Sequence, residues 1–104
     1  MQLAKVETSV GDDAAAETLT AFILAQRLAA CIQCEPITSQ YRWEGSVVRE
    51  GEVRITCKTT LAAREDLVQL LLAHHPYEVP EILVQVVDTS EAYGAWVQAE
   101  VMHG

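Results

Sequence analysis

The chain has 104 residues, half of them hydrophobic and 21% charged, which suffices for one packed domain and lies far from a disordered composition. Fifteen acidic residues against seven basic ones give a formal charge of -8. The seven cations, Lys5, Arg27, Arg42, Arg49, Arg54, Lys58 and Arg64, are scattered singly, so nothing builds the basic patch that nucleic acid or an anionic membrane requires.

The opening residues, Met1 to Val10, lack the charged flank and apolar run of a signal peptide, and no apolar stretch reaches the roughly 18 residues of a membrane span. A cytoplasmic protein is expected. Three cysteines in a chain that needs no staples agree with a reducing compartment. Residues 3 to 9 alternate weakly, with Ala4, Val6 and Thr8 on one side, and end at Gly11-Asp12, which predicts a first strand. Asp12 or Asp13 then caps a helix expected over Ala14 to Ala30, a stretch free of Gly and Pro in which Leu19, Phe22, Ile23 and Gln26 share a face.

A strand pair follows. Ile37, Ser39, Tyr41 and Trp43 alternate with Thr38, Gln40 and Arg42, and Val53, Ile55, Cys57 and Thr59 alternate with Arg54, Thr56 and Lys58. Glu44-Gly45 reads as the hairpin tip and Glu50-Gly51 as a bulge or break in the returning strand, while Pro36, which donates no ladder bond, belongs at an edge or bulge. Thr60 caps a second helix carrying Ala63, Leu67, Leu70 and Leu71, which stops near His74 because Pro76 forces His75 out of the α region. Ile82 to Val87, apolar on both faces apart from Gln85, predicts a central strand covered on both sides, and Ser90 caps a last helix with Tyr93, Trp96, Val97 and Val101 on one face.

The order β-α-β-β-α-β-α is the split βαβ arrangement of an α+β, ferredoxin-like domain spanning residues 1–104. Its two crossovers put both long helices on one face of a four-stranded antiparallel sheet, so the other face is expected to be covered by the last helix or by self-association.

The chemistry narrows quickly. No Ser nucleophile elbow, phosphate-cradling glycine loop or HExxH helix is present, so no enzyme is expected. Cys31-Ile32-Gln33-Cys34 enters a strand, where residues three apart point to opposite faces, so Cys31, Cys34 and Cys57 read as buried small hydrophobes. His74 and His75 are candidate metal ligands, because neutral imidazole suits borderline cations such as Cu(II) and Zn(II) and an acidic surface concentrates cations. The same pair also reads as a helix C-cap, with His74 favoured by the helix dipole, since two imidazoles do not complete a transition-metal site. Tyr77, Pro80 and Glu81 form a rigid turn ending in a carboxylate, and Lys58 reaches Glu81 if their strands are neighbours. Tyr41 and Trp43, near the hairpin tip, mark contact with a partner.

Four segments together resemble the CutA divalent-cation-tolerance family: Leu28-Ala29-Ala30-Cys31, Ile37 through Gly45, Glu52-Val53 through Lys58-Thr59, and His74-His75-Pro76-Tyr77-Glu78-Val79-Pro80-Glu81. Tyr93-Gly94-Ala95-Trp96 is similar to that family's closing helix. The resemblance implies a ferredoxin-like homotrimer akin to PII signalling proteins and binding of Cu(II) or another divalent cation. Ligands in some members are the histidines matching His74 and His75 and a cysteine at the end of the first strand. Thr8 stands in that cysteine's place, and a hydroxyl is a poor ligand beside a thiolate, so weak divalent binding is expected. The rival expectation is a PII-like small-ligand sensor with an intersubunit cleft lined by Tyr41, Trp43, Lys58, Tyr77 and Glu81, or an interaction scaffold with no physiological metal.

Overall fold

Alternation in four segments and 3.6-residue periodicity in three others produce seven elements in a computed structural model that describes residues 1–102. They are β1 (Gln2–Val10), α1 (Asp13–Ala25), β2 (Cys31–Trp43), β3 (Ser46–Thr59), α2 (Arg64–His74), β4 (Leu83–Asp88) and α3 (Glu91–Glu100). The sheet is antiparallel with strand order β2-β3-β1-β4, the arrangement expected of a split βαβ fold.

In-register partners share a face, so Val6 and Val10 of β1 line up with Cys57 and Val53 of β3. With Ile55 they bury against Ala16, Leu19 and Ile23 of α1 and Leu67 and Leu71 of α2. Complete burial of each larger aliphatic side chain stabilises by about 1.5–3 kcal/mol, so this layer holds the helices to the sheet. A smaller cluster joins Leu3, Ala63, Val97 and Val101 and seats α3. The middle of the opposite face is a polar ladder: Lys5 lies 3.9 Å from Glu7, Thr56 donates to Glu7 at 3.4 Å, Arg54 pairs with Glu35 at 3.0 Å, and Lys58 donates to Gln33.

Several expectations change. The first helix stops at Ala25, five residues before Ala30, because Arg27 takes the left-handed conformation (φ 55) that closes a Schellman cap. Arg27 N–H donates to Leu24 O at 3.0 Å and Leu28 N–H to Ile23 O at 3.3 Å. Arginine tolerates that conformation here because its guanidinium also reaches the last carbonyls of α3, with Nε 3.0 Å from Glu100 O. The Glu50-Gly51 break does not form. Pairing runs without a slip from Cys31↔Lys58 to Trp43↔Ser46, so β3 is continuous, and the register is fixed by a two-residue Glu44-Gly45 tip with both φ values positive (48 and 82). Pro36 sits on edge strand β2, where its missing N–H costs no ladder bond. Thr60 caps the turn before α2, accepting from Ala63 N–H at 3.1 Å, and the helix itself starts at Arg64.

The strand predicted as central is an edge. β4 pairs only with β1, and Leu83, Val84 and Val86 are 53%, 47% and 44% exposed. Its two apolar faces therefore record surface that the isolated protomer leaves uncovered. Of the three cysteines only Cys57 is buried; Cys34 is exposed on β2 and Cys31 half-buried, because the edge strand has a neighbour on one side alone.

Candidate functional site: an acidic cleft at the root of the hairpin arm

The long hairpin rises beside the turn that follows α2, and a cavity of about 800 Å³ opens between them. Each wall is built by local sequence. Alternation along β2 puts Ser39, Tyr41 and Trp43 on one face, and the tip-determined register sets Glu50 opposite Ser39 and Glu52 opposite Ile37 on that same face. Pro76 ends α2 and sends the chain across the end of β1 with His75 extended (φ -68, ψ 136), which brings Tyr77, Glu78, Val79 and Glu81 to the other wall. Ser9 and Gly11 form the floor at the end of β1.

Four carboxylates line this cleft, Glu50, Glu52, Glu78 and Glu81, and among the described residues no Lys, Arg or His does. Three hydroxyls are spent on them. Tyr77 Oη donates to Glu52 Oε2 at 2.7 Å, Ser9 Oγ to Glu81 Oε2 at 3.4 Å, and Tyr41 Oη to Glu50 Oε1. Glu52 is 7% exposed, so the Tyr77 bond is strengthened by partial removal from water. Burial, the bond to Glu52 and the nearby negative charge push the Tyr77 phenol well above its ordinary range. The bond to Glu50, followed by desolvation and the charges of Glu50 and Glu52, pushes Tyr41 up to about 12.

His75 lies behind the cleft wall and fixes the turn. Its Nδ1 accepts from Tyr77 N–H at 3.0 Å, which requires the proton on Nε2. That Nε2–H is shared between Ser9 O at 3.0 Å and Thr8 Oγ1 at 2.9 Å. The tautomer follows from the network, and it leaves neither ring nitrogen a free lone pair. Burial lowers the His75 pKa from 6.5, opposed by the Ser9 carbonyl and the Glu52 charge, so the ring is neutral near pH 7. Thr8, singled out as the residue in a cysteine's place, is 2% exposed and does face His75.

The other sequence candidates divide. Tyr41, Trp43, Tyr77 and Glu81 come together in the cleft. His74 diverges from its neighbour: its ring packs against Phe22 with centroids 4.4 Å apart, beside a separate cavity of about 420 Å³ lined by Ala15, Leu19, Phe22 and Pro76. Lys58 does not reach Glu81, because β1 lies between β3 and β4 and Lys58 sits in register with Lys5 and Cys31. Glu50, Glu52 and Ser9 are not among the sequence candidates, and Glu78 enters only as part of the segment 74–81. Their signal was available for the first two, since counting back from the Glu44-Gly45 tip pairs Glu50 with Ser39.

As a metal site the protomer is incomplete. Among the described residues no three His, Cys, Asp or Glu side chains converge to hold an ion, and a stable transition-metal site needs at least that many. The oxygen-only donors of the cleft match hard divalent cations that keep part of their water shell.

A split βαβ sheet extended by a long hairpin defines an α+β protein of the ferredoxin-like class. The family model described as "CutA1 divalent ion tolerance protein" matches residues 4–100, and the chain belongs to that family. It is 41% identical over 92 residues to the divalent-cation tolerance protein CutA of Escherichia coli, covering 86% of this chain and 82% of that one. Its structure is similar to CutA1 from Pyrococcus horikoshii OT3, with a TM-score of 0.93, 33% identity, and coverage of 96% of this chain and 99% of the other. CutA from Synechococcus elongatus PCC7942 aligns with a TM-score of 0.90 at 35% identity, over 97% and 91% of the two chains. Membership gives the chain a role in divalent-cation tolerance.

Proposed function

We propose that the chain serves divalent-cation tolerance as a homotrimer in the cytoplasm, taking up divalent cations weakly, with their water shells largely retained, in the acidic cleft of each protomer. The observation that carries this reading is the cleft's composition, four carboxylates with no compensating basic side chain among the described residues. Such a cleft focuses negative potential and raises the local concentration of cations. Among the described residues no triad of donors converges, which agrees with weak, partly hydrated binding better than with a chelate.

Two further features support the rest of it. Edge strands β2 and β4 offer unpaired backbone, and Leu83, Val84, Val86, Tyr93 and Trp96 leave apolar surface exposed, which favours association of copies. The free thiols, one of them exposed on β2, fit a reducing compartment, and no helix among the described residues is long and apolar enough to cross a membrane. A PII-like sensor of an anionic ligand draws less support, since Lys58 lies away from the cleft and no other basic side chain among the described residues lines it.

Titrating Mn(II) and Cu(II) against the wild type, a Glu50→Gln/Glu52→Gln variant and a His74→Ala/His75→Ala variant tests the assignment by calorimetry. Mn(II) binding should weaken about tenfold or more in the carboxylate variant, as loss of charged oxygen ligands implies, and persist in any correctly folded histidine variant. Mn(II) curves unchanged by the carboxylate substitutions would contradict the cleft as the binding place.

A further inference from the structure

The cleft has a second chemical character that a metal ion leaves unused. Its walls carry Tyr41, Trp43 and Tyr77 as well as carboxylates, so aromatic faces and anionic acceptors border one space. Three of the four lining hydroxyls are already consumed, since Tyr41, Tyr77 and Ser9 each give their proton to a glutamate, which leaves Ser39, the Gln40 amide and the Trp43 indole N–H as side-chain donors. Acceptor capacity remains. Glu52 is more than nine-tenths buried and lines the cavity; its Oε2 takes the Tyr77 proton, and among the described residues no hydrogen bond reaches its Oε1.

A space bordered by four carboxylates and three aromatic rings and about 800 Å³ in volume selects a ligand that is cationic, donor-rich and partly apolar. Hydrated metal ions meet the first two of these requirements but not the third, and among the described residues no triad converges to hold them. Organic ammonium groups need no tight polyhedron. Each N–H donates separately to a carboxylate, and the methylenes lie against the rings.

We propose that this cleft binds an aliphatic diamine or polyamine, one ammonium group hydrogen-bonded to Glu52 and the alkyl chain lying along Tyr41 and Trp43. The inference uses the same cleft as the divalent-cation reading, yet it rests on the aromatic lining, so either can fail alone.

The test follows Trp43 fluorescence in the full chain carrying Trp96→Phe, which removes the other tryptophan at an exposed position. Probes are 1,5-diaminopentane, its neutral isostere 1,5-pentanediol, and glutarate, each in chelator-treated buffer free of divalent ions. Saturable change with the diamine and none with the diol or glutarate is expected. Glu52→Gln should weaken the diamine about tenfold or more, in keeping with the loss of a charge-assisted bond. Exposed Glu78→Gln, which puts no buried charge at risk, should weaken it about threefold, while Glu17→Gln on α1, away from the cleft, leaves it unchanged. A non-saturating response, equal responses to the diol, or equal weakening by Glu17→Gln and Glu78→Gln would each overturn the proposal. Mn(II) binding measured separately by calorimetry distinguishes its failure from that of the metal reading, because a cleft that takes Mn(II) but ignores the diamine refutes only this one.

Discussion

Replacing His75 by alanine is the perturbation whose consequences the structure specifies most completely. Three groups lose a partner: Thr8 Oγ1 at 2.9 Å, Ser9 O at 3.0 Å and Tyr77 N–H at 3.0 Å. Thr8 and Ser9 are buried, and a buried polar group left without its partner costs about 1–3 kcal/mol. Tyr77 N–H is only partly buried and rehydrates, and water admitted to the vacated space recovers part of the rest, so the net loss is about 2–4 kcal/mol. Thr8→Val removes one hydroxyl while leaving the Nε2–H bond to Ser9 O intact, and should cost about 1 kcal/mol or less. Urea unfolding at fixed protein concentration measures both, and a double-mutant cycle isolates their coupling.

The same residue carries a pH signature. Its folded pKa is lowered from 6.5, so as pH falls the unfolded chain takes up the proton first and stability declines. This contribution is fully present above about pH 6.5 and is lost as pH falls from there toward the lower native value. His75→Ala should therefore cost less at about pH 5 than at about pH 7.5. A cost below about 0.5 kcal/mol, or one that grows on acidification, would refute the three-bond account.

Glu50→Gln removes the charge that holds the Tyr41 proton, so one tyrosine that ionises at about 12 should return toward 10 in a spectrophotometric titration; an unchanged curve would contradict the Tyr41–Glu50 bond. Arg27→Gly relieves about 1 kcal/mol of left-handed strain but frees the carbonyls at the end of α3, so global stability should change little while amide exchange in the last turn of α3 accelerates. Equal exchange in both proteins would deny that Arg27 ties the two helix ends. Glu44→Asn places a residue tolerant of positive φ at the hairpin tip and should raise stability by about 0.5 kcal/mol in thermal melts, whereas a lowered Tm would contradict the two-residue turn.

How much of this was legible beforehand depended on whether the deciding force was local. The helix exit at His74, the Glu44-Gly45 tip and the Ser90 cap follow from Pro76, from turn chemistry and from a hydroxyl, and each formed where the sequence put it. Arg27 broke the first helix early because an arginine in the left-handed region is held there by α3, a contact 73 residues away that no local pattern announces. β4 reads as central because both its faces are apolar, whereas its pairing with β1 alone makes it an edge. The site divided the same way. Tyr77 and Glu81 were visible in a proline-bounded turn, and Thr8 was paired correctly with the histidine segment. Glu52 was missed because the expected break at Glu50-Gly51 hid the alternation that turns it inward.

The central claim is that the carboxylate cleft, and not the histidine pair, receives divalent cations. Crystals of the full chain grown with Mn(II) and examined by anomalous scattering test it most directly. The account predicts anomalous density inside the cleft bordered by Glu52 and Glu81, with both nitrogens of His75 still bonded to Ser9, Thr8 and Tyr77. Density on the imidazoles of His74 or His75, with none in the cleft, would contradict it.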